Sequence, residues 1–412
     1  MRIALVVQRY GLDINGGAEF QCRQIAEHLA KFMRVEVLTT CAEDHYSWRN
    51  VYPAGPERIN NILIRRFPVD HERDMARFGE LSQRLLSDRH TYFDELQWME
   101  LQGPTSSELL RFLDRQQEAY DLFIFFTYLY ASTYFGLQVV PHKAVLLAEA
   151  HDEPWIRLRI FRSLFHLPRA FVFNTIEEQR LIHRIFHNEY IPGQVLGSGI
   201  EVQRLAEIAA ARSVDVFQKY PRLRVGDDFV IYVGRVDPSK GCNQLFEYFL
   251  RYKMEHQTAL KLVLIGKSTM PIPDHPDIIA LGFLREEPFP WMAQARALVL
   301  PSEWESFSFV VLESMALGVP VLVNGASKVT RGHCQRSNGG LYFRGYDEFS
   351  AALSLLLVRP ELRRNLGRQG QAYVKQNYAW EVIERRFVDW VTWVAQRQVK
   401  GWNHDAEGSW QK

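Results

Sequence analysis

Cysteine, surplus charge and long apolar runs are all scarce in this chain, and each scarcity removes a class of protein. The four cysteines, Cys22, Cys41, Cys242 and Cys334, form no Cys-x-x-Cys spacing. Neither a disulfide framework nor a zinc ribbon is indicated, and a reducing cytoplasm is the expected compartment. The formal net charge is +1, with about −3 in residues 1–200 and +4 in the remainder, so the basic stripe of a nucleic-acid binder is missing. No Asp-x-Asp occurs that could hold a metal against phosphates, and no Gly-x-Gly-x-x-Gly follows the first apolar segment. Met1–Val7 is too short for a signal-peptide core and reads as a first strand. Leu122 to Val140 is uncharged and nominally near bilayer length, but it divides into a strand, Leu122–Phe126, a polar aromatic loop, and a helix from Ala131 that Pro141 ends. A span there would leave Thr, Tyr, Ser and Gln side chains unpaired in hydrocarbon.

What remains is an ordinary globular composition, 47% hydrophobic and 24% charged, over 412 residues, a length that favours two or more domains. Apolar runs at 2–7, 34–39, 61–66, 122–126, 144–148, 170–174 and 193–196 alternate with helical patterns, which predicts a parallel, doubly wound α/β sheet. The second half repeats the plan at 229–233, 261–265, 278–281, 297–300, 320–323 and 341–343. Polar Gln203 to Asp228, with Pro221, reads as the connector, and Asp70 to Glu118 reads as inserted helices. Near the end, Trp380 to Gln396 sets Phe387, Trp390 and Trp393 at helical spacing. The expected division is 1–200, 201–378, a terminal helix at 379–398, and a mobile polar tail at 399–412.

The most informative stretch is Glu305-Ser306-Phe307-Ser308-Phe309 with Glu313 eight positions after the first acid. It lies between an apolar strand and a helix that stops at Gly318, so Glu305 falls in a loop and Glu313 in a helix. Two carboxylates at a strand's carboxyl end suit a polyhydroxylated ligand, because each accepts hydrogen bonds from vicinal hydroxyls. The same half carries Gly234-Arg235 and Lys240-Gly241 after the strand 229–233. A planar guanidinium and a compact ammonium leaving one strand end can neutralise a diphosphate without metal. In the first half, Gly16-Gly17 before a helix has the makings of an anion cradle, and His151 follows the strand 144–148 beside Asp152. The stretch Trp155 to Phe165 reads as a basic amphipathic helix, which suits either peripheral contact with anionic lipid at the inner membrane face or packing on the sheet.

Glu305 to Glu313, with Arg235 and Lys240, resembles the motif set of the family 4 glycosyltransferases, retaining enzymes of the GT-B fold. Gly16-Gly17-Ala18-Glu19 is similar to that family's amino-terminal glycine loop, His151-Asp152 to its His-Asp segment, and Val195 to Glu201 to its interdomain segment. The resemblance implies two Rossmann-like domains facing across a cleft, an acceptor side first and a donor side second, with the terminal helix crossing back to the first domain. It implies transfer of a glycosyl unit from a nucleotide-diphosphate sugar, UDP- or GDP-linked, to a glycan or lipid-linked acceptor, with retention and without metal or other cofactor. Arg235 and Lys240 would stabilise the departing diphosphate, Glu305 and His151 hold the sugar, and Glu313 bond the ribose. Gly16, Gly17, Gly234, Gly282, Phe283, Leu284, Ser306, Phe307, Ser308 and Phe309 would line the donor, the segment 282–284 meeting the base. The chain departs from the family's Gly-Phe-Gly in having serine at 306 and 308. A dinucleotide-dependent oxidoreductase and a catalytically inactive GT-B scaffold are the rival readings.

Overall fold

The computed structural model describes residues 1–14, 16–87, 89–211, 223–224, 226–284 and 288–397. Pro221 and the tail 399–412 lie outside these, so the expectation of a mobile tail falls beyond the described residues.

Among them the chain forms two sheets. The first comprises β1 (Arg2–Val6), β2 (Arg34–Thr40), β3 (Gly55–Ile59), β4 (Ile62–Phe67), β5 (Leu122–Phe126), β6 (Ala144–Leu147), β7 (Ala170–Phe173) and β8 (Gly193–Val195), in the order β3-β4-β2-β1-β5-β6-β7-β8. The second comprises β9 (Phe229–Val233), β10 (Lys261–Ile265), β11 (Ile278–Ala280), β12 (Leu298–Leu300), β13 (Val321–Asn324) and β14 (Gly340–Phe343), in the order β11-β10-β9-β12-β13-β14. Uninterrupted apolar strands such as Leu122–Phe126 are buried along their whole length, as strands covered by helices on both faces require.

One strand departs from the all-parallel expectation. β3 runs antiparallel to β4 through a hairpin at Asn60-Asn61, both in the left-handed region at φ 47° and 66°. Its sequence Gly-Pro-Glu-Arg-Ile has low strand propensity, and only a sheet edge tolerates the missing N–H of Pro56.

The first sheet is covered on both faces by separate apolar cores, and the second sheet organises a third. Helix Trp380–Gln396 lays Trp380, Ile383, Phe387, Val391 and Val394 into the core containing Ile3, Leu5 and Ile124, so the chain's last described helix packs on the first sheet. Of the three aromatics that set its periodicity, Phe387 is buried, whereas Trp393 is 44% exposed and stacks on Trp390 at 4.9 Å.

Two further expectations are corrected. The connector does not begin at Gln203: Val202–Ala211 is a helix whose Leu205 is buried in the second sheet's core, with Ile208 and Ala209 packed beside it. The basic stretch is not one amphipathic helix but a 3-10 turn, Pro154–Arg157, and a short helix, Ile160–Leu164, parted by Leu158 at ψ 141°. Arg157 pairs with Asp152 and Arg159 Nε lies 2.8 Å from Glu95, while Ile156, Ile160, Phe161 and Leu164 turn inward. The continuous basic face that a lipid surface would need is therefore absent there. Among the described residues, no helix is long and apolar enough to cross a membrane.

Candidate active site

In each sheet the strand order reverses direction at one point, between β1 and β5 in the first and between β9 and β12 in the second. Loops leaving the carboxyl ends of strands diverge at such a point and open a crevice. In the second sheet the crevice is flanked by the loop of Arg235 and Lys240 and by the loop of Glu305. Leu298 pairs with Ile231 across β12 and β9, which brings together residues 65 positions apart: Lys240 Nζ donates to Glu305 Oε1 at 2.9 Å. Close approach of the two loops demands Gly241, at φ 76°, where a Cβ would lie 2.7 Å from the Pro301 carbonyl oxygen.

Arg235 leaves β9 with its side chain 42% exposed, its Nε 3.4 Å from Asp237 Oδ2. Burial raises the Asp237 pKa, but hydrogen bonds from Ser239 and Thr269 and the charge of Arg235 outweigh it and hold the carboxyl at about 2. The Arg235 charge also reaches the first domain. Burial, then the charges of Arg9 and Arg235, depress the His45 pKa.

His151 stands on the opposite wall, beyond the end of β6, with Nε2 3.3 Å from Glu153 Oε2; Tyr128 Oη in turn donates to Glu153 Oε1 at 2.7 Å. Burial disfavours the imidazolium, yet the hydrogen bond and charge of Glu153 move the pKa upward overall, with Glu305 raising and Lys240 lowering it from across the gap. His151 therefore faces the Lys240–Glu305 pair. A cavity of about 430 Å³ between the walls is lined by His151, Asp152, Trp304, Glu305 and Lys328, and Lys328 Nζ bridges it to Asp152 Oδ2 at 3.3 Å.

The acid loop is anchored from behind. Phe307 is 2% exposed and meets Phe309 and Tyr378 edge-on at 4.9 and 5.7 Å. His333, fully buried, lies with Nε2 3.1 Å from the Phe307 carbonyl and Nδ1 3.1 Å from Tyr373 Oη. Burial lowers its pKa to about 3, so the ring is neutral, and the carbonyl requires the proton on Nε2. Ser308 caps helix Phe309–Ala316 in the left-handed region, φ 65° and ψ 73°, with no side-chain cap bond, and its buried Oγ has no partner. Ser306 and Phe309 are half-buried at the loop's ends, as is Glu313 just over one turn into the helix.

The remaining expected residues divide between the sheets. Gly234, at φ 150°, ends β9 and donates to the Ile265 carbonyl at 2.9 Å. Gly282, at φ 68°, follows β11 with Phe283 60% exposed and Leu284 half-buried. Two strand spacings, ~10 Å, separate β11 from β9. Gly16 and Gly17 open helix Gly17–Leu29 on the other sheet, and the ground there is already taken by a carboxylate. Glu19, 4% exposed, folds back so that a Cβ on Gly16 would fall 1.8 Å from its Oε2. Arg9 Nη2 lies 2.6 Å and Gln8 Nε2 2.9 Å from Glu19 Oε1.

His333 and Glu153, which support the acid loop and His151, were missed by sequence reasoning. Neither occurs in a motif, and each acts through a partner distant in the chain or adjacent by chance of the fold. Among the described residues no group of three or more His, Cys, Asp and Glu is placed to hold a metal.

Residues 215–373 match the model of the family described as Glycosyl transferases group 1. D-inositol 3-phosphate glycosyltransferase of Kribbella flavida is 26% identical over 264 residues, 58% of this chain and 60% of that protein. O-antigen chain mannosyltransferase B of Escherichia coli is 26% identical over 188 residues, 42% of this chain and 47% of that protein. The match thus spans less than two thirds of either relative's length. HepE of Anabaena, solved in complex with UDP, superposes with a TM-score of 0.70 at 15% identity, covering 95% of this chain and all of that one, 100%. The chain thus has the GT-B fold over nearly its whole length, and its second half, residues 215–373, is that of a group 1 glycosyltransferase.

Proposed function

We propose that the chain moves a glycosyl unit from a nucleotide-diphosphate sugar, UDP- or GDP-linked, to the hydroxyl of a glycan or lipid-linked acceptor, keeping the anomeric configuration and using no metal. The observation that carries this reading is the Lys240–Glu305 contact at 2.9 Å, set at the sheet's crevice opposite His151. Lys240 and Arg235 supply preorganised positive charge where negative charge develops on the departing diphosphate. Glu305 accepts hydroxyls of the transferred sugar, His151 holds it from the other wall, and Glu313 takes the ribose. Gly234 and residues 306–309 bring backbone close to the donor, and Gly282, Phe283 and Leu284 meet the base. The first sheet forms the acceptor side, where the space beside Gly17 is open while Gly16 is covered by Glu19. Assembly of surface polysaccharide or glycolipid is the setting that the O-antigen relative suggests.

A melting series with UDP, GDP, ADP, their sugars and NAD tests the donor class. One nucleoside diphosphate at a hundredfold its Kd should stabilise the protein by about 2.7 kcal/mol. Stabilisation by NAD alone would overturn the reading in favour of an oxidoreductase. The product's anomeric configuration, read by NMR, tests retention.

Ser308→Gly gives a second, sharper expectation. Left-handed backbone costs a non-glycine residue roughly 1–2 kcal/mol, partly offset by the greater freedom of glycine in the unfolded chain. The variant should therefore melt no lower than the parent while binding the sugar nucleotide about tenfold more weakly, the loss of one neutral hydrogen bond. Unchanged donor affinity would remove the Ser308 hydroxyl from the site.

A further inference from the structure

The cavity of about 430 Å³ between the walls is lined by His151 and Glu305 but by neither Arg235 nor Lys240, so it runs on from these two residues away from the cationic loop. Its far end lies between helix Ile176–Phe186 of the first wall and helix Lys328–Ser337 of the second. Arg180 and Arg184 stand four positions apart on one face of the first helix, and Lys328 and Arg331 lie in the opening turn of the second. Cations at a helix amino terminus add to its partial positive charge instead of offsetting it. Lys328 and Arg331 therefore work against their own helix and raise the potential in the cavity, where low-dielectric walls focus it.

The carboxylates around it do not cancel that charge. Asp152 takes three cations at once: Arg157 closely, Lys328 Nζ at 3.3 Å and Arg184 Nη2 at 3.5 Å. Glu177 is given to Arg336, whose Nη2 donates to Oε2 at 3.2 Å, and Glu305 to Lys240. Glu178 is buried and accepts from the backbone N–H groups of Ala150 and Asn174 at 2.7 and 2.6 Å, and burial above all raises its pKa to about 7. Arg331 donates to the Gly325 carbonyl at 3.0 Å, and neither it nor Arg180 has a carboxylate partner among the described residues. Five cations, Arg157, Arg180, Arg184, Lys328 and Arg331, thus face Asp152, exposed Glu303 and Glu178, and the balance stays positive even with Glu178 fully ionised. The cavity also offers a sugar a surface. The Trp304 indole is 45% exposed beside Glu305, and His151 Nδ1 is buried without a partner while Nε2 serves Glu153.

Resting on the glycosyl-transfer reading, we infer that the transferred sugar is an acidic one, a hexuronic acid whose carboxylate is bound by Lys328 and Arg184 at the far end of this cavity. With the diphosphate at Arg235 and Lys240, the anomeric carbon lies beside Glu305, and the space beyond receives the end of the sugar farthest from the diphosphate. Retention leaves the acceptor oxygen on the face that the diphosphate vacates, so that space belongs to the sugar's own substituents. The Lys328 and Arg184 side chains are 53% and 58% exposed, and pairs of such length and exposure hold weakly. Asp152 keeps Arg157, so a sugar carboxylate can take the other two cations without stranding a charge, the guanidinium offering it a two-pronged fork. Arg180 adds charge from the same helix face, and the indole of Trp304 covers an apolar face of the ring.

The test uses the full chain and donors paired to differ only at C6: UDP-glucuronate with UDP-glucose, UDP-galacturonate with UDP-galactose, and GDP-mannuronate with GDP-mannose. Calorimetry should show one acidic donor bound about tenfold or more tighter than its neutral partner, the worth of a hydrogen bond to a charged group. Arg180→Ala, which breaks no ion pair, should narrow that preference. Arg184→Ala combined with Lys328→Ala should abolish it, while the bare nucleoside diphosphate binds as it does to wild type. All three side chains are exposed, so the variants should fold. Neutral donors bound as well as or better than every acidic one overturn the inference, and so does an acidic preference that survives the double substitution. Saturation-transfer NMR that finds methyl glucuronide bound alongside a neutral sugar nucleotide would put the anion on the acceptor and overturn it too. If no nucleoside diphosphate binds, the donor reading itself falls. Methyl glucuronide against methyl glucoside then still reports on the cavity, and equal binding of the two overturns its preference for an acid.

Discussion

Replacing Lys240 by alanine is expected to lower turnover by about 10²–10³-fold, the usual cost of removing one preorganised donor from a developing negative charge. The same change should barely alter stability. The Lys240 side chain is 36% exposed and its partner Glu305 13% exposed, so solvent screens the pair, which is worth about 1 kcal/mol or less. Turnover and melting temperature therefore separate the two roles that this contact allows. If Lys240 served only to hold Glu305, then Glu305→Gln would cost as much as Lys240→Ala, and combining them would cost nothing more. If it meets the diphosphate directly, Lys240→Arg should recover part of the loss, because charge is kept while the compact ammonium geometry is not. Equal turnover in Lys240→Ala and wild type would remove the cationic pocket from the mechanism.

The part of this site that could be read from sequence was the part carried by strands and their immediate exits. Apolar runs at β9 and β12 are uninterrupted, and the residues that follow them, Arg235 and Lys240 in one case and Glu305 in the other, sit at strand ends by construction. Parallel order then brings both exits to one edge. His151 was legible for the same reason. β3 was not, because Gly55-Pro56 and the charges of Glu57 and Arg58 carry no strand signal, and its existence depends on pairing with β4. Nor was the attachment of helix Val202–Ala211, whose apolar residues have the right spacing but whose docking face is decided by the second sheet. Glu149 shows the limit most clearly. A single acid between an apolar strand and a histidine gives no sign of left-handed backbone, and its raised pKa comes from burial first and then from Glu19 and Glu178, all of which only the packed sheet supplies.

Trp380→Ala should produce the largest loss of stability among the substitutions considered, about 3–5 kcal/mol. The indole is 5% exposed and stacks on His28 at 3.5 Å with the planes 9° apart. It also rests on bare backbone, because a Cβ at Gly199 would fall 2.0 Å from its Cδ2. Those contacts lie where the chain passes between the sheets in both directions: Ile200 N donates to the Tyr378 carbonyl at 2.7 Å, and Ile200 bridges Ala379 in parallel. Two crossing segments are thus clamped by one ring, and the helix that follows is held to the first sheet from that point. The truncation leaves a cavity that backbone on the Gly199 side cannot fill by moving a side chain, which places the cost toward the upper end of the range. Trp393→Ala, on the same helix but 44% exposed, should cost about 0.5 kcal/mol or less. Urea unfolding followed by tryptophan fluorescence and by circular dichroism compares the two. Similar midpoints for both variants would mean that the crossing is held by the rest of helix Trp380–Gln396. A large loss confined to Trp380→Ala would place the mechanical link between the two walls of the site at this ring, because Phe307 of the acid loop packs on Tyr378, two residues before it.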